Sequence, residues 1–183
     1  MISLHTPSAA RLTRRLVALA LVVAGTAVGA LRVEARAGDD EARATTIARM
    51  LRFVEWNTKA PGTGLRVAVV GNAELSAALR EACAAIQPGG HTVTVVDVPS
   101  VAALADVKAS VVVLGEDSAV LARRLSEQGV VTVGDGDCPE NRALALNIRS
   151  EGDRYRLQAN PTAAARAGVV LSSRLLRLAQ IVN

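Results

Sequence analysis

Short apolar runs alternate with helix-like segments along most of this chain, and that alternation restricts its fold more than any other feature. Four runs have the β-branched composition of buried strands: LRVAVVG (65–71), HTVTVVDV (91–98), SVVVLG (110–115) and VVTVG (130–134). Amphipathic helical patterns separate them, such as NAELSAALREACAAI (72–86), which places Cys83 on its apolar face. The alternation predicts a single three-layer α/β domain with a mostly parallel central sheet and flanking helices.

The two ends of the predicted domain depart from this alternation. DDEARATTIARMLRFVEW (39–56) has the apolar spacing of an amphipathic helix. ALALNIRSEGDRYRLQAN (143–160) predicts an antiparallel hairpin, followed by a helix that begins at Pro161 behind an Asn cap. SSRLLRLAQIVN (172–183) predicts a closing helix with one apolar side, which comprises Leu175, Leu178 and Val182.

Residues 1–37 have the organisation of a secretory signal peptide. Three arginines precede an apolar run from Leu16 to Leu31, and ARA (35–37) follows it as a small-x-small cleavage pattern. Cleavage is expected near Ala37 or Ala30, which leaves residues 38–183 as one exported domain. An uncleaved membrane anchor is the alternative, although the run is short for a bilayer span.

Charge gives no support to a nucleic-acid role. Five of the 21 basic and one of the 17 acidic residues fall in positions 1–37, so that 16 of each remain and the formal net charge of the predicted mature part is zero. Phosphate backbones are bound by a basic surface excess. We therefore expect no nucleic-acid partner.

The catalytic inventory is thin. The predicted mature part has one histidine, His91, so neither a histidine-based triad nor a zinc site of the usual composition can be built from it. The glycine loops complete neither the dinucleotide nor the P-loop pattern. We expect no catalytic residue, metal site or cofactor. Arg123 and Arg124 fall on the outer face of a predicted helix, where solvation is the expected state.

Cys83 and Cys138 are the two cysteines of the chain. In an oxidising compartment they are a possible disulfide pair, and the loop-entropy model would credit such a closure with about 4 kcal/mol. The sequence does not show that the two residues meet.

The large rings are concentrated in LRFVEW (51–56), which holds Phe53 and Trp56, two of the three aromatic residues of the chain. Trp56 can close an aliphatic core, or it can anchor a partner, since Trp and Arg dominate the binding energy of interfaces. In the second case, Arg52 and the arginines of the last predicted helix, Arg174 and Arg177, are candidates for the charged contacts.

Two stretches together resemble the YfiR-like family of periplasmic proteins. ARMLRFVEWNTKAPGTGLRVAVVGNAELSAALR (48–80) is similar to the family's opening, a helix ending in F-x-x-W, a Pro-rich loop and a strand ending in V-x-G. RYRLQANPTAAARAGVVLSSRLLRLAQIV (154–182) resembles its end, the run N-x-x-A-A-x-x-A-G-hydrophobic-x-L-S-S-[KR]-L-L-x-L-A. The resemblance extends over nearly all of residues 44–182, and its C-terminal run is the more specific part.

The resemblance implies a small α/β periplasmic regulatory protein, often dimeric, without catalysis. Such a protein restrains an inner-membrane diguanylate cyclase by binding its periplasmic portion, lowers cyclic-di-GMP and biofilm formation, and associates with the membrane only through that partner. The expected interaction surface comprises Arg52, Phe53, Trp56, Ser173, Arg174 and Arg177. The alternative is a periplasmic small-molecule binding module that uses the mouth above the parallel strands.

The cysteine pattern departs from the family. Members often carry cysteines in the first core strand and at the start of the VVVLG strand, where this chain has Ala68 and Ser110. A disulfide between those two places therefore cannot form here, and Cys138 alone keeps a family-like position.

Overall fold

The structure, a computed structural model, describes residues 38–56, 64–115, 119–135, 142–151 and 154–183. Its helices are α1 (38–51), α2 (Ala73–Ile86), α3 (Ala119–Glu127), α4 (Pro161–Arg166) and α5 (Ser173–Leu178). Its strands are β1 (Val54–Trp56), β2 (Gly64–Val70), β3 (Thr92–Val98), β4 (Val111–Leu114), β5 (Val131–Gly134), β6 (Leu146–Glu151), β7 (Arg154–Ala159), β8 (Val169–Leu171) and β9 (Gln180–Ile181). Two short 3₁₀ turns cover Pro88–Gly90 and Ala102–Asp106.

Seven strands form the central sheet in the order β3-β2-β4-β5-β6-β7-β9. Neighbouring strands from β3 to β6 are parallel, β6 and β7 form the predicted antiparallel hairpin, and β9 joins β7 in parallel. The predicted α/β class, mostly parallel sheet and C-terminal hairpin are therefore confirmed. The β-branched residues of β2 and β4 explain the arrangement, because strands covered on both faces have near-continuous apolar sequences.

Apolar side chains cover both faces of the sheet. Alternation along β2 sends Val67 and Val69 into one cluster and Ala68 into the other. Residues of α1, α2 and α4 pack in the first cluster, and residues of α3 and the 3₁₀ turn at 102–106 pack in the second. The result is a three-layer arrangement in which aliphatic residues supply nearly all of the core.

Asparagine caps begin two of the helices. Asn72 Oδ1 accepts a hydrogen bond from the Leu75 N–H at 2.9 Å, and Asn160 Oδ1 accepts one from the Ala163 N–H, also at 2.9 Å. Pro161 follows Asn160 at the first helical position, as the sequence predicts. The caps satisfy N–H groups that would otherwise lack a partner at the helix start.

The first helix is shorter than its apolar spacing predicts. It ends at residue 51, and a turn closes when the Phe53 N–H donates to the Met50 carbonyl at 2.9 Å. Val54 to Trp56 then form β1, which pairs with β8 in a separate two-stranded sheet. Val54 remains buried, as predicted, but as part of a strand. β-branched and aromatic residues favour such pairing once a partner strand is within reach.

The last predicted helix also ends early, and its predicted apolar side is wrong in part. Leu175 is 1% exposed, whereas Leu178 is 68% exposed at the last residue of α5. The chain then becomes extended, and the Val182 N–H donates to the Ala159 carbonyl at 2.9 Å beside the pairing of β9 with β7. Backbone pairing with the sheet therefore replaces the predicted final turns.

The predicted signal peptide, residues 1–37, lies outside the described residues. Within the described part of the chain, none of the helices combines the length and apolarity required to cross a bilayer.

Candidate interaction surface

The ribbon of β1 and β8 brings the two ends of the domain together. Val54 pairs with Leu171, Glu55 with Val170, and Trp56 with Val169. The Ser172 N–H extends the ladder by donating to the Phe53 carbonyl at 2.9 Å. The LRFVEW stretch is thus joined through its backbone to the segment that opens α5.

The two faces of this ribbon differ. Val54, Val169 and Leu171 are buried and belong to the main core cluster. Glu55 and Val170, a cross-strand pair, lie on the opposite face and are exposed, Val170 by 44%. Because strand side chains alternate in direction, the ribbon covers the core with one face and presents the other outward.

Phe53 and Trp56 combine both environments. Each is partly buried and packs against the core cluster, and each keeps part of its side chain exposed. Trp56 shares the inward-facing register of Val54, so its ring contributes to covering the core. The rings therefore lie where the core meets the surface, and the backbone there is fixed by pairing with β8.

Helix α5 presents a mixed polar and apolar stripe. Ser172 Oγ accepts a hydrogen bond from the Leu175 N–H at 3.4 Å, and Leu175 fixes the helix to the core. Arg174, Arg177 and Leu178 fall at positions i, i+3 and i+4, so they share a helix face, and all three are exposed. Ser173 is exposed in the first turn.

The arginines of this region have no acidic partner among the residues that the structure describes. Neither Arg52 nor Arg174 nor Arg177 forms an ion pair with any residue that the structure describes. Arg52 lies next to Phe53 in the turn between α1 and β1. These guanidinium groups are consequently open to carboxylates of another molecule.

We call the exposed and half-exposed residues of this region the ribbon surface: Arg52, Phe53, Glu55, Trp56, Val170, Ser173, Arg174, Arg177 and Leu178. Sequence reasoning missed Glu55, Val170 and Leu178, because their exposure depends on the strand pairing and on the early end of α5. Exposed aliphatic side chains, half-exposed rings and arginines without an ion pair to any described residue are the composition from which protein interfaces are built.

Of the two cysteines that the sequence offers as a pair, the structure describes Cys83. Cys83 is a free thiol, 4% exposed on the inner face of α2, and its burial raises the pKa of the thiol to about 11. Cys138 lies outside the described residues. Pairing of the two cysteines remains a prediction, and Cys83 in the described state is a poor nucleophile because the thiolate is the reactive form.

The described residues show no cluster of side chains suited to hold a metal ion. No group of three or more His, Cys, Asp or Glu side chains there is arranged to hold an ion. His91 is half-buried just before β3.

Comparison with models of protein families places most of this chain in a known family. The model of the YfiR/HmsC-like family matches residues 40–180, which include the whole sheet apart from the end of β9, the ribbon and α5. No curated protein matches the chain. The match extends over most of the sequence, and the chain belongs to the YfiR/HmsC-like family.

Proposed function

We propose that this member of the YfiR/HmsC-like family is a periplasmic regulatory protein that restrains an inner-membrane diguanylate cyclase by binding the cyclase's periplasmic portion. Restraint of the cyclase lowers cyclic-di-GMP and, with it, biofilm formation. In this proposal the protein is not an enzyme, uses no cofactor and reaches the membrane only through its partner. Residues 1–37 direct export and are removed, and the domain can form a homodimer.

The observation that carries the proposal is the family match over residues 40–180. It includes both segments that build the ribbon surface, β1 at one end and β8 with α5 at the other. The half-exposed rings, exposed arginines and exposed aliphatic side chains of the ribbon surface also suit a function carried by protein binding.

We assign binding to the ribbon surface. Its arginines, Arg52, Arg174 and Arg177, are unpaired among the described residues, and Val170 and Leu178 are apolar side chains left in solvent. A partner with carboxylates around a small apolar patch would complement both features. Electrostatic complementarity of this kind raises association rates and suppresses wrong partners.

The experiment is a capture of the partner from detergent-solubilised membranes of the source organism, with the protein expressed from its full coding chain and purified. Mass spectrometry identifies what is retained. We expect a membrane protein with a periplasmic region and a cytoplasmic cyclase domain. Retention of no cyclase, or of cyclases equally by an unrelated periplasmic protein, would remove support for the proposal.

Matched variants locate the surface. Arg174→Ala/Arg177→Ala removes two exposed charges that form no ion pair with a described residue, so the fold is expected to persist while capture is lost. Arg80→Ala, which removes an exposed charge from α2, serves as the control. Equal capture by both variants would refute the assignment to the ribbon surface without refuting the regulatory role.

Trp56→Ala separates the two roles of the ring. Packing against the core predicts a loss of stability, and the anchor role predicts a loss of capture in protein that is still folded. If the variant is destabilised by several kcal/mol, as core truncations are, and folded protein still captures the partner normally, the ring has only the structural role.

A periplasmic small-molecule binding module remains the second prediction. It requires the mouth above the parallel strands, and residues 116–118 and 136–141, which follow β4 and β5, lie outside the described residues. Thermal shifts with a metabolite panel test this alternative, since a specific ligand raises the melting temperature by mass action.

A further inference from the structure

A cavity of about 980 Å³ lies between α3 and α4, and none of its described lining residues belongs to the ribbon surface. Its lining includes Arg123 and Arg124 from α3, Arg142 from the turn before β6, and Arg166 from α4. Three separate segments therefore contribute four arginines to the lining of one concave surface, which we call the arginine groove.

Arginines outnumber acids among the described lining residues of this groove. Of the described lining residues, Glu127 is the one acid against the four arginines. None of the five forms an ion pair with another described residue. The predicted mature part carries 16 basic and 16 acidic residues once positions 1–37 are set aside, so this local excess is a departure from a neutral whole.

An excess of like charge in one concavity raises the energy of the unliganded state and favours a bound anion. Guanidinium groups are suited to that role, because each presents a planar fork of donors that matches carboxylate and phosphate oxygens. Four forks around one cavity suit a ligand with several acidic oxygens better than a single monovalent ion.

The size and the remaining lining narrow the ligand class further. A volume of about 980 Å³ is at the upper end of the range of roughly 300–1,000 Å³ that is typical of small-molecule sites. Ala119, Val120 and Ala143 add apolar surface beside the charges, and Val120 is 84% exposed. Such a lining accommodates the carbon frame of an organic molecule.

Local structure holds part of the groove in place. Asn160, which is 5% exposed, donates from Nδ2 to the Arg142 carbonyl at 2.6 Å and caps α4 through Oδ1. The backbone of Arg142 is thereby tied to the start of the helix that carries Arg166. Arg124 has a second environment, since it also lines a cavity of about 560 Å³ that contains Lys108.

We propose that the arginine groove binds a small organic anion with two or more acidic groups, carboxylate or phosphate. This site is distinct in its residues from the ribbon surface and does not depend on the partner proposed above. Sequence reasoning expected Arg123 and Arg124 to be solvated, and the structure adds Arg142 and Arg166 as their neighbours across the groove.

The test uses citrate and pyrophosphate as probes, with isothermal titration calorimetry and thermal unfolding of the purified protein. Sodium chloride at matched ionic strength controls for screening. We expect saturable binding of at least one probe, with a rise in melting temperature beyond that in chloride. Preference for citrate assigns carboxylate ligands, and preference for pyrophosphate assigns phosphate ligands.

Arg142→Gln/Arg166→Gln is the decisive variant, because it removes two exposed guanidinium groups and leaves the backbone contacts of both residues in place. Loss of two charge-assisted contacts is expected to weaken binding by about tenfold or more. Arg49→Gln/Arg80→Gln removes two exposed charges from α1 and α2 and should bind as the unaltered protein does.

Three outcomes would overturn the proposal. They are no saturable binding of either probe, a melting shift equal to that in chloride, and equal weakening in the groove and control variants. If the double variant fails to fold, the single substitution Arg166→Gln in calorimetry decides the question with the same criteria.

Discussion

Asn160 joins two parts of the structure through one side chain, and its removal should therefore cost more than an ordinary helix cap. Oδ1 accepts from the Ala163 N–H at 2.9 Å, and Nδ2 donates to the Arg142 carbonyl at 2.6 Å. Loss of a cap costs about 0.5–2 kcal/mol. The hydrogen bond to the Arg142 carbonyl is part-buried, and its loss costs about 0.5–1.5 kcal/mol. For Asn160→Ala we expect a loss of about 1–3 kcal/mol in the free energy of unfolding.

Two comparison variants make this reasoning refutable. Asn160→Ser keeps an oxygen that can cap α4 but lacks the amide donor, so it should recover about 1 kcal/mol of the loss. Asn72→Ala removes the equivalent cap of α2. The Asn72 amide makes only a long contact of 3.4 Å with Asp40, so this variant should lose about 1 kcal/mol of unfolding free energy. Urea unfolding followed by circular dichroism measures all three. If Asn160→Ala costs no more than Asn72→Ala, or Asn160→Ser is no better than Asn160→Ala, the double role of Asn160 is refuted.

Three further predictions concern packing and the buried thiol. Leu175→Ala should destabilise the protein by about 2–5 kcal/mol, because the side chain is 1% exposed. Leu178→Ala should change the free energy of unfolding by no more than about 0.5 kcal/mol, and equal losses in urea unfolding would contradict the early end of α5. Gly134→Ala should cost about 1–3 kcal/mol, because a Cβ there would overlap the Asn147 side chain and come within 2.9 Å of Leu144 Cδ1; unchanged stability would refute this packing. Burial raises the pKa of Cys83 from an ordinary 9.0 to about 11, so the thiol keeps its proton to a higher pH in the folded state than in the unfolded state. The contribution of Cys83 to the free energy of unfolding therefore falls as the pH rises from 9.0 towards about 11. Iodoacetamide at pH 8 should accordingly label Cys83 slowly in folded Cys138→Ser protein and rapidly in urea, and fast labelling of the folded form would contradict the burial.

The parts of the fold that local sequence determines were predictable. The β-branched composition of β2, β3, β4 and β5 is sufficient to predict them as strands. The β6–β7 hairpin and the helix start at Asn160–Pro161 are likewise predicted by residues within those segments. For β2, β3, β4 and β5, each predicted strand boundary lies within one residue of the observed boundary.

Strands that depend on distant partners were not predictable. β1 has three residues and β9 has two, and both continue patterns that have helical spacing. Each becomes extended because an edge is available, β8 for β1 and β7 for β9. Tertiary pairing overrides local helix preference in segments this short.

The residues of the candidate sites also divide into those that local sequence marks and those that only the tertiary structure brings to notice. Trp56 and the arginines of α5 could be singled out from the sequence, because rare rings and a family-like run marked them. Val170 and Leu178 could not, since their exposure follows from β8 pairing and from the end of α5. The arginine groove was invisible in sequence because its four cations come from three separate segments.

The level of cellular cyclic-di-GMP is the most direct test of the proposed restraint of a diguanylate cyclase through the ribbon surface. The nucleotide is measured by mass spectrometry in the parent strain, in a deletion strain, and in the deletion strain carrying the unaltered protein, Arg174→Ala/Arg177→Ala or Arg80→Ala at matched periplasmic levels. We expect cyclic-di-GMP to rise on deletion, and we expect the unaltered protein and Arg80→Ala, but not the double variant, to reverse that rise. An unchanged level on deletion would contradict the regulatory role, and full reversal by the double variant would contradict the surface assigned to it.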